Sequence, residues 1–274
     1  PSAHAVDREY KVITALYETD VPVPKTYGLC EDDEVAGTAF FVMDFLDGDL
    51  FWNPMIPTVS NQDRTEIYQN KNKTLALLHG VDYKKIGLED YGKSGNYVAR
   101  QVARWSKQYK ASETDDIEAM NNLIDWLPKN IPDDDDTSIV HGDYRLDNMI
   151  LKNNQVIGIL DWELSTLGHP IADFSYHCLS WRTQEAFWDQ AKLKELGVPS
   201  EKEYMDMYCE NTGKDLSKNW EFYMAFNMFK IAGILQGILG RVRDGTASSK
   251  HAEDRGMMVY PLSEAAWNTI KENF

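Results

Sequence analysis

The feature that most constrains this chain is a predicted β-hairpin with acidic and amide residues at both of its ends. Met149–Leu151 and Val156–Leu160 are short apolar runs separated by a polar four-residue segment, a pattern typical of two antiparallel strands. Asp143 and Asn148 precede the first run, and Asp161 directly follows the second. Because a tight hairpin returns the chain to its starting point, we expect these three side chains to converge on one place.

Converging oxygen ligands of this kind suit phosphoryl transfer. The transferred group spreads negative charge over several oxygens, and the protein mainly positions and neutralises it. A carboxylate such as Asp143 can accept the proton of an attacking hydroxyl. An amide oxygen and a carboxylate, here those of Asn148 and Asp161, are ligands that Mg²⁺ takes alongside water. The pattern therefore favours phosphoryl transfer at a magnesium site.

The sequence around the hairpin resembles the phosphotransferase signature of aminoglycoside and choline kinases. His141–Asn148 has the pattern H-G-D-x-x-x-x-N, and Ile159–Trp162 has the sequence I-L-D-W. The two segments are also similar to the catalytic loop of protein kinases and to the metal-binding aspartate that follows it. The resemblance implies that Asp143 is the catalytic base and that Arg145 lies near the γ-phosphate. The resemblance also implies that Asn148 and Asp161 bind magnesium. It gives His141 a structural role in holding the loop.

Other segments extend the resemblance. Glu9 matches the glutamate that pairs with the phosphate-binding lysine of the family. The residues that match the adenine-binding hinge are Met43, Asp44, Phe45 and Leu46. Glu163–Asp173 is similar to the G-x-P-x-x-D segment of the family, in which the aspartate is structural. The resemblance thus implies ATP and Mg²⁺ as cofactors and a hydroxyl of a small molecule as the acceptor.

The fold that the resemblance implies is α+β and protein-kinase-like. Residues 1–46 are expected to form the remainder of a small, truncated N-terminal lobe with one helix, two strands and the hinge. Residues 47–274 are expected to form a large, mainly helical lobe that contains the catalytic hairpin. The family begins with three strands that carry a phosphate-covering loop and a lysine, and no such sequence precedes Glu9. We therefore expect the chain to be a fragment of a longer protein.

Hydrophobic periodicity and turn signals predict the remaining elements. The predicted helices are His4–Tyr17, Asn61–Leu78, Tyr97–Lys110, Thr114–Leu127, Gln184–Leu196, Glu201–Glu210, Lys218–Leu239 and Met257–Lys271. The further predicted strands are Thr26–Cys30, Thr38–Phe45 and Ser138–Val140. Gly80 is expected to cap the end of the second helix, whereas Ser200 and Ser217 are expected at N-caps.

One subgroup of the family matches along nearly the whole chain. Segments such as Val6–Tyr10, Val21–Pro24 and Ala232–Gly237 look like the kinase-like domain that is fused to acyl-CoA dehydrogenases in some animals and that has free-standing bacterial relatives. That resemblance implies a hydroxyacyl-CoA-type acceptor. The spacing of residues carries no information on the acceptor.

Composition excludes some classes of function. The chain has 28 basic and 44 acidic residues, a net charge of −16, which disfavours binding to nucleic acid. The three cysteines have neither metal-ligand nor redox spacing, as expected of free thiols in a cytoplasmic protein. The most apolar run, Phe222–Leu239, contains Asn227, Lys230 and Gln236, so no membrane span is predicted. The oligomeric state does not follow from the sequence.

Two alternative functions stay open. A pseudokinase that binds a nucleotide or a partner without transfer would agree with the missing lysine but not with the complete set of Asp143, Asn148 and Asp161. An aminoglycoside phosphotransferase would agree with the acidic charge, since its acceptors are cationic. The sequence also leaves open whether Glu163, Arg241 and Arg243 contact the substrate.

Overall fold

The computed structural model describes residues 6–184, 189–247, 249 and 251–274. Its helices are α1 Val6–Leu16, α2 Asp33–Ala36, α3 Asn61–Gly80, α4 Tyr97–Ala111, α5 Glu118–Trp126, α6 Pro170–Cys178, α7 Ser180–Thr183, α8 Gln190–Glu195, α9 Glu201–Thr212, α10 Trp220–Arg243, α11 Ala252–Met257 and α12 Val259–Asn273. Its strands are β1 Thr26–Cys30, β2 Phe40–Met43, β3 Ser138–Val140, β4 Met149–Lys152, β5 Gln155–Ile159 and β6 Thr166–Gly168.

The chain divides into two compact units. The first consists of Pro1–Ser94 and Asp136–Asp215, and the second of Gly95–Asp135 and Leu216–Phe274. All six strands belong to the first unit, whereas α4, α5, α10, α11 and α12 form the second. Every residue of the predicted phosphotransferase site therefore lies in the first unit. The lobe boundary expected after residue 46 stays a prediction.

Three two-stranded antiparallel sheets make up the β structure of the first unit. β1 pairs with β2, β3 with β6, and β4 with β5. The predicted β-hairpin is confirmed, with Met149 opposite Ile159 and Lys152 opposite Gln155. Its two turn residues, Asn153 and Asn154, have φ angles of 51° and 62°. Asparagine tolerates this left-handed conformation, which a two-residue hairpin turn requires at both central positions.

The N-terminal helix and hairpin follow the sequence closely. α1 covers the described part of the predicted helix except Tyr17, and the first residues of that helix, His4 and Ala5, lie outside the described residues. β1 has the predicted bounds, and β2 is shorter than predicted. The loop between them contains α2, which was not predicted. The Asp32 side chain caps its first turn, and Gly37 ends it at φ 82°.

Several helix ends differ from the prediction for local reasons. Gly80 is the last residue of α3 and not its cap, because the chain leaves the helix through Val81 in an extended conformation that needs no glycine. The helix predicted from Thr114 begins only at Glu118, and a 3-10 turn at Leu127–Lys129 follows it. Gln184 lies outside α8, and residues 185–188 of the helix predicted there lie outside the described residues. Sequence periodicity missed α6, α7, α11 and β6, each of nine residues or fewer.

α10 is the central helix of the second unit and packs against α4, α11 and α12. By length and composition it could cross a membrane, so the sequence prediction that no segment qualifies is wrong by that measure. However, 67% of its apolar window is buried inside the structure, as in the core helix of a globular unit. Its polar Gln236 is buried as well and donates from Nε2 to Ser112 O (2.6 Å) and Thr114 Oγ1 (2.9 Å).

The two predicted N-caps have different outcomes. Ser200 caps α9 in a reciprocal capping box: its Oγ accepts from the N–H of Glu203 (3.2 Å), and the Glu203 carboxylate accepts from the N–H of Ser200 (2.8 Å). Ser217 does not cap α10. That helix begins after Asn219, whose side chain makes no capping hydrogen bond.

Replacing Ser200 with alanine should lower the free energy of unfolding by about 1 kcal/mol, because the first turn of α9 loses its side-chain acceptor. Urea denaturation followed by circular dichroism measures the change. Ser200→Gly is the matched control, since glycine at an N-cap costs only a few tenths of a kcal/mol relative to serine. Equal destabilisation by the two substitutions would show that the hydroxyl does not act as a cap.

Candidate active site

The loop that carries Asp143 begins where β3 ends and is anchored by a buried carboxylate. Asp173, in the first turn of α6, accepts from the backbone N–H of His141 (2.9 Å, Oδ2) and of Gly142 (2.9 Å, Oδ1). Gly142 has φ 84°, and a Cβ there would lie 2.7 Å from Leu164 O. The loop therefore requires both the carboxylate below it and glycine at this position.

The buried side chain of His79 also holds Asp173 in place. His79 on α3 donates from Nε2 to Asp173 Oδ2 (3.2 Å), and its Nδ1 lies 2.6 Å from the hydroxyl of Tyr208, which donates to it. Burial alone would raise the pKa of Asp173, but the hydrogen bond from His79, the electrostatic interactions with His79 and His141 and the backbone donor together hold the pKa below its ordinary value. Asp173 is therefore ionised at neutral pH, which lets each of its oxygens accept a backbone hydrogen bond.

His141 connects the loop to the far end of the catalytic hairpin. Its Nδ1 accepts from the N–H of Asp143 (3.2 Å), so its Nε2 carries the proton and donates to Leu160 O (3.0 Å). Burial lowers the pKa of His141, which keeps the ring neutral and fixes this tautomer. The structural role that the resemblance implied for His141 agrees with these contacts. One side chain thus contacts the backbone of Asp143 and of Leu160, the residue that precedes Asp161.

Asp143 and Asn148 are in contact. Asn148 donates from Nδ2 to the backbone O of Asp143 (2.9 Å) and lies 3.3 Å from its Oδ2. With the nitrogen engaged in this way, the amide oxygen of Asn148 is the atom that can serve a cation. Desolvation by burial raises the pKa of Asp143, although Arg145, His141 and Asn148 each act to lower it. A raised pKa makes the carboxylate a better proton acceptor.

Asp161 stands at the other end of the hairpin, next to Asn148 across the strand pair. The N–H of Leu160 donates to Asn148 O (2.9 Å), which ties the residue before Asp161 to the predicted metal ligand. Asp161 is exposed and has φ 63°, a left-handed conformation that is uncommon outside glycine. Such strain persists where the surrounding structure imposes it, and it is frequent at ligand sites.

Arg145 precedes the hairpin in the loop, and the predicted hinge contacts the hairpin through Leu46. Arg145 forms an ion pair with Asp147, in which its Nε donates to Oδ1 at 3.0 Å. The hinge residue Leu46 packs so closely on β5 that a Cβ on Gly158 would lie 2.0 Å from its Cδ1. A β-bridge between Asp49 and Leu151 of β4 holds the following segment. Leu46 of the predicted hinge therefore packs against the hairpin whose ends carry the predicted metal ligands.

Within the predicted hinge, Asp44 makes hydrogen bonds, whereas Phe45 and Met43 are exposed. The N–H of Asp44 donates to Lys25 O (2.8 Å), and its carboxylate accepts from the Tyr27 hydroxyl (2.6 Å). Phe45 is 91% exposed and Met43 is also exposed. Glu9 lies on α1, which packs against β1 and β2; Tyr10 beside it has its ring 6.1 Å from that of Phe41. The hinge and Glu9 thus belong to one small α/β layer, and their roles in nucleotide binding stay predictions.

Sequence reasoning missed the buried polar groups beneath the loop. Lys71 on α3 is 3% exposed, and its backbone O accepts from the hydroxyl of Tyr144 (2.8 Å). His177 donates from Nδ1 to Tyr144 O (2.7 Å) and accepts at Nε2 from the Tyr204 hydroxyl (3.0 Å). Lys71 lies in the run Q-N-K-N-K, which has the composition of an exposed helix face, so no local signal indicates its burial.

Comparison with known proteins decides the family. The sequence model of the phosphotransferase enzyme family APH matches residues 1–208 of this chain. The chain belongs to this family. A crystal structure of a candidate aminoglycoside phosphotransferase from Ralstonia eutropha superposes with a TM-score of 0.94 at 50% identity and covers 100% of this chain and 85% of its own. The resemblance inferred from the His141–Asn148 signature is confirmed.

The curated relatives are longer proteins. Mouse acyl-CoA dehydrogenase family member 10 is 42% identical over 282 aligned residues that cover all of this chain. The chain spans only 26% of that relative's length. The sequence predicted a resemblance to the kinase-like domain that is fused to acyl-CoA dehydrogenases. This prediction is confirmed.

A more distant solved structure shows the fold class. An aminoglycoside phosphotransferase APH(4)-Ia, in a ternary complex with ADP and hygromycin B, superposes with a TM-score of 0.64 at 11% identity and covers 96% of this chain and 83% of its own. The α+β, protein-kinase-like fold predicted from the sequence is confirmed. The chain thus belongs to the phosphotransferase enzyme family and has its kinase-like fold.

Proposed function

We propose that this chain transfers the γ-phosphoryl group of ATP, with Mg²⁺, to a hydroxyl of a small molecule. The observation that carries the proposal is the hydrogen-bonded group of Asp143, Asn148 and the Asp161 end of the hairpin, held from below by His141 and Asp173. Family membership supports the reaction class.

Asp143 is the proposed catalytic base. Its half-buried carboxylate has a raised pKa and can take the proton from the acceptor hydroxyl as the phosphoryl group arrives. The hydrogen bond from Asn148 keeps it at one position on the loop. Arg145, two residues along, is proposed to lie beside the transferred phosphate, where its charge would offset the negative charge on the equatorial oxygens.

The residues present fit a magnesium ion that takes some of its ligands from the protein and the others from a nucleotide and water. Asn148 offers an amide oxygen, and Asp161 offers an exposed carboxylate one residue beyond a hydrogen bond to Asn148. Within the described ranges, no group of three or more His, Cys, Asp or Glu side chains could hold a metal. Two protein ligands agree with the usual mode of Mg²⁺, which also takes water and substrate phosphates. When bound, Mg²⁺ would neutralise charge on the phosphates.

ATP is the proposed phosphoryl donor, and the segment from Met43 to Leu46 is the proposed adenine-binding hinge. Its contact with Gly158 of β5 would place the nucleotide next to Asp161. The solved relative in complex with ADP supports the nucleotide class. The same segment is the proposed boundary between a small lobe, residues 1–46, and the helical lobe, residues 47–274.

The proposed acceptor is a small alcohol, and a hydroxyacyl-CoA-type compound is the first candidate. Its support is the similarity to acyl-CoA dehydrogenase family member 10. The net charge of −16 supports the absence of a nucleic-acid partner. A cytoplasmic location is proposed because the three cysteines form no disulfide.

Calorimetry of ATP binding with and without Mg²⁺ tests the proposal on this chain. We expect binding that depends on Mg²⁺. Turnover would then be measured with a panel of hydroxyacyl-CoA compounds, simple alcohols and aminoglycosides. Nucleotide binding without turnover of any acceptor would favour a pseudokinase, and absence of ATP binding would contradict the proposal.

Replacing Asp161 with asparagine should weaken Mg²⁺-dependent ATP binding by about tenfold or more, because one anionic ligand of the shared ion is lost. ATP affinity without Mg²⁺ should change little. The matched control is Asp125→Asn, at an exposed aspartate of α5. If the ratio of ATP affinities with and without Mg²⁺ is the same in Asp161→Asn as in the unmodified chain, Asp161 is not a magnesium ligand.

A further inference from the structure

Lys71 is a buried lysine whose ammonium has no hydrogen-bond or ion-pair partner among the described residues. It is 3% exposed, and its Nζ lies 4.3 Å from the ring centroid of Tyr68 and 6.0 Å from that of Tyr204. Across the described residues, the structure records no hydrogen bond or ion pair of this ammonium. Burial lowers the pKa of Lys71 to about 7, so that at neutral pH about half of it is charged.

The other buried cation of the same helix provides a contrast. Arg64 donates from Nε to Met55 O (2.5 Å) and from Nη2 to Ile56 O (2.8 Å) and Val59 O (3.2 Å), with further acceptors for Nη1. Its hydrogen bonds compensate for the loss of water, as burial of a charge requires. Lys71 has no such compensation. A buried ammonium with only ring faces beside it destabilises the empty protein, which indicates that its partner is a ligand.

A cavity of about 220 Å³ lies at this position and borders the catalytic loop. Its lining includes Lys71, Trp52, Ser180, His177, Arg145 and Asp147. The last two belong to the loop that carries Asp143 and Asn148. A group held in the cavity would therefore belong to a molecule whose other end can approach Asp143.

Among the described residues that line the cavity, Asp147 is the only carboxylate, and its charge raises the pKa of Lys71, but by less than burial lowers it. Asp147 is engaged by Arg145, and its side chain is only 13% exposed. On α6, burial keeps His177 neutral by lowering its pKa and raises the pKa of the Cys178 thiol. On α3 and α9, burial raises the pKa values of Tyr68 and Tyr204, so both phenols are neutral.

We propose that this cavity is a subsite for an anionic group of the acceptor, a carboxylate or a phosphate, and that Lys71 is the residue that binds it. The assignment rests on the proposed phosphotransferase function and adds the acceptor class. An anion beside Lys71 forms a charge-assisted hydrogen bond with the ammonium, and the hydroxyl of Ser180 is within the same lining as a second donor. Binding of the anion then favours the protonated form of Lys71, so the complex takes up a proton from solution near pH 7.

The first test measures Lys71 directly and needs no phosphoryl transfer. Lysine labelled with ¹³C at Cε is followed by NMR through a pH titration, and Lys71→Met identifies the resonance of Lys71. With inorganic phosphate or acetate as the probe, we expect the pKa of Lys71 to rise by about one unit or more, which corresponds to a tenfold preference of the anion for the protonated lysine. Lys73, exposed two residues along α3, is the internal control.

The second test uses turnover of matched acceptors, each hydroxy acid or phosphate monoester paired with a neutral ester or diol of the same length. We expect the unmodified protein to prefer the anionic member, and Lys71→Met to reduce that preference by about 10- to 100-fold, as for loss of a charge-assisted hydrogen bond. Lys73→Met should retain the preference. Methionine preserves the length and removes an unpaired buried charge, so the variant is expected to fold.

The outcomes separate the two proposals. A Lys71 resonance that phosphate and acetate leave unshifted overturns the subsite, whatever the enzyme does. A shifted resonance without turnover of any acceptor supports the subsite and contradicts the phosphotransferase. Turnover in which Lys71→Met and the unmodified protein show the same preference between acceptors also overturns the subsite, because the charge would then have no part in recognition.

Discussion

Replacing Asp143 with asparagine should lower the rate of phosphoryl transfer by about 10²- to 10⁴-fold, the usual contribution of a positioned general base. The amide can still accept the hydrogen bond from Asn148, and the backbone bond of Asn148 to residue 143 is unaffected. The variant loses only the ability to take a proton. The loss should therefore appear in kcat, whereas the affinity for ATP should change little.

The stability and pH dependence of the Asp143 variant provide independent checks. Because burial raises the pKa of Asp143 in the folded state, the ionised form is disfavoured by folding. The free energy of unfolding of Asp143→Asn at neutral pH should thus be equal to or above that of the unmodified chain. In the unmodified enzyme, kcat/KM should fall as the pH drops through this raised pKa.

The control for Asp143 is an aspartate without contact to the loop. Asp206 on α9 forms an exposed i,i+4 ion pair with Lys202 (2.6 Å), and Asp206→Asn should leave turnover unchanged. Turnover of Asp143→Asn within a factor of a few of this control would show that another group accepts the proton. A large loss of kcat together with a lower free energy of unfolding would instead indicate damage to the loop.

The sequence predicted the catalytic hairpin because its determinants are local. Two apolar runs of strand length and an Asn153–Asn154 turn define β4 and β5 without reference to the remaining chain. The capping box of Ser200 and Glu203 was predictable for the same reason. Family membership was predictable from the loop signature, since its residues lie close in sequence.

The supports of the site were not predictable, because they depend on contacts between distant segments. His79 and Asp173 are 94 residues apart, and neither the helix around His79 nor the short α6 shows from its periodicity that they meet. Lys71 is part of a polar run that becomes buried only when α3 packs beneath the catalytic loop. The division into two units likewise arises from packing of non-contiguous segments around α10.

Replacing Asp173 with asparagine should lower the free energy of unfolding by about 3 kcal/mol or more, because hydrogen bonds to a charged group contribute about 1.5–3 kcal/mol each and a buried donor is left without its acceptor. Each carboxylate oxygen accepts from one backbone N–H, at His141 or Gly142, and Oδ2 also faces His79. An asparagine presents an NH₂ group in place of one oxygen, so a buried donor would face another donor. The catalytic loop should lose its fixed position, and turnover should fall even at temperatures at which the variant is folded.

Urea denaturation at several pH values tests the role of Asp173, with Asp206→Asn as the surface control for loss of one carboxylate. Because the pKa of Asp173 is lowered in the folded state, its stabilisation is complete above the pKa of an unfolded aspartate and is lost as the pH falls through the folded value. The difference in free energy of unfolding between the unmodified chain and Asp173→Asn should therefore shrink on acidification. The effect of Asp206→Asn on the free energy of unfolding should stay small at every pH. A difference that stays constant from neutral to acidic pH would mean that the charge of Asp173 does not hold the loop, and that the fold depends on the shape of the side chain alone.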